Sequence, residues 1–207
     1  MVLRLRPRSL ACAACLLALA ACAGSSNAQR GQPPLTLRER LAHGGPAPAS
    51  YFPLAVGNEW TYAVSGGGQT KQQSVRTIHI VGRDGSWFLD DQRGRLRIEA
   101  DGVRDSDRYL LRAPLAAGSS WTSVDNFVVQ KFELESTGVA LATPAGKFDG
   151  CVVVRNDQPL PNGARFVTEW TYAPGVGLVA LRTFTKTQGK EETQTQLTLV
   201  AYRLAGG

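Results

Sequence analysis

The stretch YFPLAVGNEWTY, from Tyr51 to Tyr62, decides the fold because parts of it return twice later in the chain. Its centre, PLAVGNEWT at residues 53–61, is echoed by PLAAGSSWT at residues 114–122. Its end, EWTYA at residues 59–63, recurs unchanged at residues 169–173. Proline fixes φ, glycine permits a turn or avoids a clashing Cβ, and tryptophan and threonine favour a strand. The repeats therefore predict a turn-into-strand unit, reused in an antiparallel β architecture.

The chain after Ser50 is patterned for strands. Turn signals such as Asp84-Gly85 and Pro174-Gly175 separate runs that alternate apolar and polar residues, which is the strand pattern. We expect one all-β domain, residues 51–207, with about nine to eleven antiparallel strands in a curled sheet or barrel. A half-barrel over a short helix at residues 35–42 and a sandwich are the alternatives.

Two details of this pattern give local expectations. In Phe127–Glu135 the alternation slips at Gln130-Lys131, which predicts a β-bulge there. In the strand near the third repeat, alternation places two sets of side chains on opposite faces. One set is Phe166, Thr168, Trp170 and Tyr172, and the other is Val167, Glu169 and Thr171.

The N-terminal residues have the composition of an export signal. Three arginines within residues 4–8 precede an apolar run, residues 10–21, that is too short to span a bilayer as a permanent helix. The run ends in Leu19-Ala20-Ala21-Cys22, which resembles a bacterial lipobox. The resemblance implies a signal peptide at residues 1–21 and acylation of Cys22. Residues 22–50, which include the acylated cysteine, are rich in Gly, Pro, Ala, Ser and Gln, and this composition predicts a flexible tether. An ordinary secretory signal, cut for example after Ala28, is the alternative.

The predicted anchor sets the expected location. Two or more acyl chains hold a protein stably on a membrane. Ala23 follows the cysteine where an inner-membrane retention signal would have aspartate, which favours the outer membrane and a periplasm-facing domain. The chain has 23 basic and 17 acidic residues. Since three of the basic residues leave with the signal peptide, 20 against 17 remain, a net charge of +3, and we expect no nucleic-acid partner.

Few residues suggest chemistry. Cys12 and Cys15 leave with the signal peptide, so Cys151 stays as an unpaired thiol, interpreted as a core residue rather than a reactive nucleophile. His79 has no GxSxG elbow to complete a catalytic triad, and the acidic stretch at residues 101–107 lacks the spacing of a calcium loop. Gly175-Val176-Gly177 predicts a sharp turn rather than a nucleotide loop. We expect no enzyme, no metal and no cofactor.

The recurring aromatic residues allow two interpretations. They are either strand-start anchors of a packed core or the lining of a cavity for an apolar ligand. The candidate ligand-binding residues are Trp60, Trp121, Trp170, Tyr62 and Tyr172.

Three motifs together resemble a family of bacterial exported proteins and lipoproteins of uncharacterised function. They are YFPLAVGNEWTY, TPAGKFDGC at residues 143–151 and YAPGVGLV at residues 172–179. The resemblance implies no activity and assigns no functional residue. With the export signal, it leads us to expect a non-enzymatic, membrane-tethered lipoprotein that binds an apolar ligand, such as a lipid, or an envelope protein through a concave aromatic surface. A structural or accessory lipoprotein with a solid core is the alternative.

The anchor can be tested by Cys22→Ala. Without the thiol no acyl chain can be attached, so we expect the protein to leave the membrane fraction and appear in the soluble envelope fraction, as judged by immunoblot after fractionation. Continued tight membrane association of this variant would contradict the lipobox interpretation.

Overall fold

The computed structural model describes residues 46–66, 73–125 and 127–206, except for the side chain of residue 125. Cys22, the predicted signal peptide and the possible helix at residues 35–42 lie outside these residues. The described part begins with a 3-10 helix, Pro48–Tyr51, and continues as twelve strands. These are β1 Glu59–Gly66, β2 Gln73–Asp84, β3 Trp87–Asp90, β4 Arg95–Glu99, β5 Gly102–Arg104, β6 Tyr109–Arg112, β7 Ser120–Asp125, β8 Val128–Thr143, β9 Gly146–Pro159, β10 Arg165–Ala173, β11 Gly177–Thr187 and β12 Lys190–Arg203.

All twelve strands belong to one antiparallel sheet. The order is β6-β5-β4-β3-β2-β1-β12-β11-β10-β9-β8-β7. Strands that are consecutive in sequence are therefore paired, except β6 with β7, and the first strand also pairs with the last. The edges of the sheet are β6 and β7, which are consecutive in the chain. The sheet curls until these edges approach each other, giving a nearly closed, barrel-like fold.

Side chains join the two edges where main-chain pairing stops. The Trp121 indole on β7 donates a hydrogen bond to the main-chain oxygen of Tyr109 on β6, at 3.0 Å. The Ser123 hydroxyl donates to the main-chain oxygen of Asp107 at 2.8 Å. An edge strand otherwise presents unpaired polar groups. These bonds satisfy some of the polar groups along the seam, the line where β6 and β7 approach each other.

The first repeated unit has the same geometry in both copies. In the first copy the Gly57 N–H donates to Ile80 O at 2.8 Å, and Ile80 N–H returns a bond to Asn58 O at 2.9 Å. In the second copy the Gly118 N–H donates to Leu134 O at 2.8 Å, and Leu134 N–H returns one to the residue after Gly118, also at 2.8 Å. The prediction of a reused turn-into-strand unit is confirmed.

The two glycines are required for their backbone angles. Gly57 and Gly118 have φ of 94° and 84°, a region that residues with a Cβ rarely adopt. A Cβ at Gly57 would make only an ordinary contact at 3.6 Å, and one at Gly118 would meet nothing within 4 Å. The clash expected from the sequence is therefore wrong, and the turn conformation is the reason for glycine.

The EWTYA repeat is also reproduced, including an irregularity. The register of β1 against β12 shifts between Thr61 and Tyr62, and that of β10 against β11 shifts between Thr171 and Tyr172. In both cases the extra residue is on the partner strand, Val200 on β12 and Val179 on β11. A bulge therefore faces the same position of both copies, and a bulge increases local strand twist.

Two clusters of buried side chains fill the interior. The first includes Tyr51, Trp121 and Phe132, and the second includes Trp60 and Tyr62. Partly buried Leu96 and Leu178 pack against both clusters. The interior is therefore continuous, with a junction at these two leucines.

The sequence-based expectations for the fold are mostly correct. An all-β, antiparallel, curled sheet is confirmed, and the described residues contain twelve strands rather than nine to eleven. The bulge predicted at Gln130-Lys131 is wrong, since β7 and β8 pair without a shift there. The alternation breaks in that region because Val128 and Val129 are exposed at the hairpin tip. No described helix is long and apolar enough to cross a membrane.

Substitution of Gly102 tests the packing of β5. A Cβ there would lie 2.5 Å from the main-chain oxygen of Leu111 and 2.7 Å from the Tyr109 ring, so we expect Gly102→Ala to lower the free energy of unfolding by about 1–3 kcal/mol. Gly82→Ala is the control, because a Cβ at Gly82 meets nothing within 4 Å, and its effect should stay within about 0.5 kcal/mol. Equal losses in urea denaturation would contradict the packing described here.

Candidate functional site

A cavity of about 220 Å³ lies in the interior, where the two buried clusters meet. Its lining is predominantly aromatic and aliphatic, with two charged residues. The lining residues are Phe52, Leu54, Trp60, Tyr62, Ile78, Ile80, Asp90, Leu96, Arg108, Leu110, Trp170, Tyr172, Gly177 and Leu178. An apolar cavity with a few polar groups is typical of a small-molecule site.

Strand β1 contributes two rings whose polar atoms are already paired. The Trp60 indole N–H donates to Val176 O at 2.7 Å, and the Tyr62 hydroxyl donates to Leu178 O at 3.0 Å. Burial raises the pKa of Tyr62 far above its usual value. Since these polar atoms are bonded to β11, the two side chains present apolar ring surface to the cavity.

Strand β10 contributes the corresponding pair from the other EWTYA copy. The Tyr172 ring lies 5.2 Å from the Phe52 ring, and the Trp170 ring lies 6.0 Å from the Phe132 ring, between centroids. Tyr172 is only 2% exposed, and burial raises its pKa strongly. Unlike the hydroxyl of Tyr62, that of Tyr172 makes no hydrogen bond within the described part of the chain.

Four of the five candidate residues from the sequence therefore line one cavity. Trp121 does not line it. Its ring stacks on Phe132 at 6.1 Å, and its indole bonds to β6 across the sheet seam. Trp60, at 6% exposed, and Trp121, at 5%, are also buried in the core. Trp60 is thus both a core anchor and part of the cavity lining, whereas Trp121 is a core anchor alone.

Sequence reasoning missed the two charged residues of the cavity, Arg108 and Asp90. Arg108 belongs to an acidic turn in which Asp105 Oδ1 accepts the main-chain N–H groups of Asp107 and Arg108, at 2.8 and 2.7 Å. Such bonds are the ordinary role of aspartate in a turn. The signal that could have drawn attention was an arginine directly before an apolar strand, Tyr109–Arg112.

Two other groups considered for chemistry have structural roles. Cys151 is fully buried, as the sequence predicted, and burial raises the pKa of its thiol. Gly175-Val176-Gly177 is the sharp turn between β10 and β11. In the described residues, no group of three or more His, Cys, Asp or Glu is arranged to hold a metal ion.

His79 lies in a cluster of charges on β2. Its Nε2 is 3.0 Å from Glu59 Oε2, and its Nδ1 is 2.9 Å from Asp91 Oδ2. Arg203 Nη2 bonds to the same Glu59 oxygen at 3.1 Å. The hydrogen bond to Asp91 is the main cause that raises the pKa of His79. The pKa of Glu59 is lowered mainly by its hydrogen bond to Arg203, and that of Asp91 mainly by the backbone N–H of His79. The cluster joins β2 to β1, β12 and the turn after β3.

The His79 cluster makes stability depend on pH. The raised pKa of His79 stabilises the fold fully below its usual value, near 6.5, and this contribution is lost as pH rises through the folded-state pKa. The lowered pKa values of Glu59 and Asp91 stabilise the fold at pH values above the usual pKa of each carboxyl group. This stabilisation is lost as pH falls through their folded-state pKa values. We expect the highest Tm between about pH 5 and 6.5.

The matching measurement is thermal unfolding at pH 5.5 and 8.5. His79→Gln should remove most of the difference in Tm between the two pH values, because glutamine does not titrate. Arg76→Gln on the same strand should keep it. An unchanged difference in the His79→Gln variant would show that other groups cause the pH dependence.

Two solved structures are similar to this chain in overall shape. One is a protein from Bacteroides fragilis, inferred to be exported and described with a YmcC-like fold; it is 14% identical, with 73% of this chain and 98% of that chain covered and a TM-score of 0.48. The other is an inferred lipoprotein from Parabacteroides distasonis, 12% identical, with 77% of this chain and 100% of that chain covered and a TM-score of 0.45. No protein-family profile and no curated protein matches the chain.

Proposed function

We propose that this chain is a non-enzymatic lipoprotein of the cell envelope whose β domain binds a slender apolar ligand in the interior cavity. The observation that carries the proposal is the position of the two EWTYA copies. They place Trp60 and Tyr62 from β1, and Trp170 and Tyr172 from β10, around one cavity. The ligand is a single hydrocarbon chain or a small ring system.

The size and polarity of the cavity support this ligand class. Its volume of about 220 Å³ exceeds the roughly 150 Å³ of an engineered apolar cavity that stays dry and takes up benzene. It is smaller than the roughly 300–1,000 Å³ usual for drug-sized ligands. The volume therefore matches one acyl chain or one ring.

The hydrogen bonds of the β1 rings also favour an apolar ligand. Trp60 and Tyr62 direct their donors to main-chain oxygens of the β10–β11 turn and β11. Water beside these two rings would therefore find few partners, and a buried water needs about two to four. Apolar contact with the rings instead gains roughly 25 cal/mol for each Å² removed from water.

The proposed location follows from the N-terminal residues. The lipobox ending at Cys22 would tether the domain through acyl chains, and the residue that follows it favours the outer membrane, with the domain facing the periplasm. The non-enzymatic role is supported by the positions of the nucleophile and base candidates. Cys151 and His79 are both outside the cavity lining, and the Cys151 thiol is buried with a raised pKa.

A second candidate function is an accessory lipoprotein that holds an envelope protein and binds no ligand. One observation favours it: four apolar side chains are exposed together around the β7–β8 turn. They are Val124, Phe127, Val128 and Val129, each more than half exposed. Exposed apolar clusters of this kind mark interaction sites in many proteins.

Native mass spectrometry of the full chain carrying Cys22→Ala separates the two functions. Recovered without detergent, the protein should carry a co-purifying lipid of the mass of one small amphiphile. Ile78→Trp would fill the cavity and should give a bare mass, while Val81→Trp, on an exposed position of the same strand, should keep the ligand. A bare mass for the parent protein, unchanged after incubation with lipid extract, would contradict ligand binding and favour the accessory function.

A further inference from the structure

Arg108 is placed at the cavity by two aromatic rings. Its guanidinium carbon lies 4.2 Å from the centroid of the Trp170 ring and 4.8 Å from that of Phe132. Its side chain is 19% exposed. A guanidinium stacked on ring faces keeps its N–H groups free along its edge. The stacking therefore positions the charge without using its hydrogen-bond donors.

Those donors make no hydrogen bond within the described part of the chain. The one charged partner, Asp105 Oδ2, is 3.8 Å from Arg108 Nε, beyond hydrogen-bond length. The other oxygen of Asp105 is engaged with main-chain N–H groups of its own turn. Arginine has five N–H donors, and in the described residues those of Arg108 are not among the buried polar atoms that lack a partner. They are therefore accessible to water or to a ligand.

The Tyr172 hydroxyl is a second unused donor at the same place. The residue is 2% exposed, lines the cavity, and has no hydrogen-bond partner among the described residues. Arg108 stacks on Trp170, which precedes Tyr172 by two residues on β10, and Arg108 and Tyr172 both line the cavity. The hydroxyl and the guanidinium are therefore close enough in the fold to act on one ligand.

We propose that the ligand is an amphiphile with a carboxylate head group, which Arg108 and Tyr172 bind while its hydrocarbon chain occupies the cavity. This inference rests on the proposed function and adds the chemistry of the head group. A carboxylate accepts two parallel bonds from a guanidinium and has further lone pairs for a hydroxyl. A long-chain fatty acid has this chemistry.

The second charged residue of the lining, Asp90, is engaged with its own turn. Asp90 Oδ1 accepts the main-chain N–H groups of Gln92 and Gly94, at 2.8 and 2.6 Å. Its other oxygen lies so close over Gly94 that a Cβ there would approach it to 2.3 Å. The carboxylate is thus folded onto its own turn, and its charge is offset by two N–H dipoles.

Three ligands with the same chain and different head groups test the inference: decanoate, 1-decanol and decylammonium. Binding to the Cys22→Ala full chain is measured by tryptophan fluorescence and calorimetry at pH 7.5. We expect decanoate to bind at least tenfold more tightly than decanol, the factor expected from charge-assisted hydrogen bonds. Decylammonium should bind most weakly because its charge repeats that of Arg108.

Substitutions then assign the difference to the two residues. Arg108→Gln should remove the preference for decanoate while decanol still binds, Arg108→Lys should keep part of it, and Tyr172→Phe should reduce it several-fold. Arg83→Gln is the matched control, since Arg83 also stacks on a ring, at 4.6 Å from the Phe88 centroid, but does not line the cavity. Thermal unfolding confirms that each variant is folded.

The outcomes separate the inference from the proposed function. Equal binding of decanoate and decanol, or an equal loss of both in Arg108→Gln, would overturn the head-group assignment and leave apolar binding standing. No binding of any of the three ligands to the parent protein would overturn both. A preference for decanoate that Arg83→Gln abolishes and Arg108→Gln does not would place the anion site elsewhere.

Discussion

The fold depends on the pairing of its first and last strands. β1, Glu59–Gly66, runs antiparallel to the end of β12, and this pairing places both strands in the middle of the sheet. The free edges of the sheet are consequently β6 and β7, and the Trp121 indole joins them by a hydrogen bond. Because β1 and β10 are then separated by only two strands, curling of the sheet brings their matching rings around one cavity.

The motifs quoted for the family resemblance meet at one end of the sheet. The Tyr51 hydroxyl donates to Gly150 O at 2.9 Å, Gly175 N–H donates to Ser50 O at 2.7 Å, and the Trp60 indole donates to Val176 O. The first and third bonds each join two of the three motifs, and the second joins the third motif to the residue before the first. The motifs are thus explained by how they hold the chain together, and Arg108, the cation of the candidate site, lies outside all of them.

Sequence reasoning predicted what depends on local pattern. Strand alternation, the reused turns and the burial of Cys151 were all predicted from the sequence. The cavity was not, because it depends on sheet curvature and on bulges that alternation does not encode. Val167 shares a face with ion-paired Glu169, yet it and its partner Phe184 have no exposed surface. The Arg182 guanidinium covers the Phe184 ring at 4.1 Å, and such cover by long side chains is invisible in a residue pattern.

The central position of β1 has a mechanical consequence. The chain enters this strand from its N-terminal side, through the 3-10 helix Pro48–Tyr51. A pull on the preceding residues loads β1 along its length, while its hydrogen bonds to β2 and β12 run across it. Both ladders must then yield before β1 is released, whereas an edge strand is held by one ladder only. A domain held by its N-terminus gains resistance to tension from this arrangement.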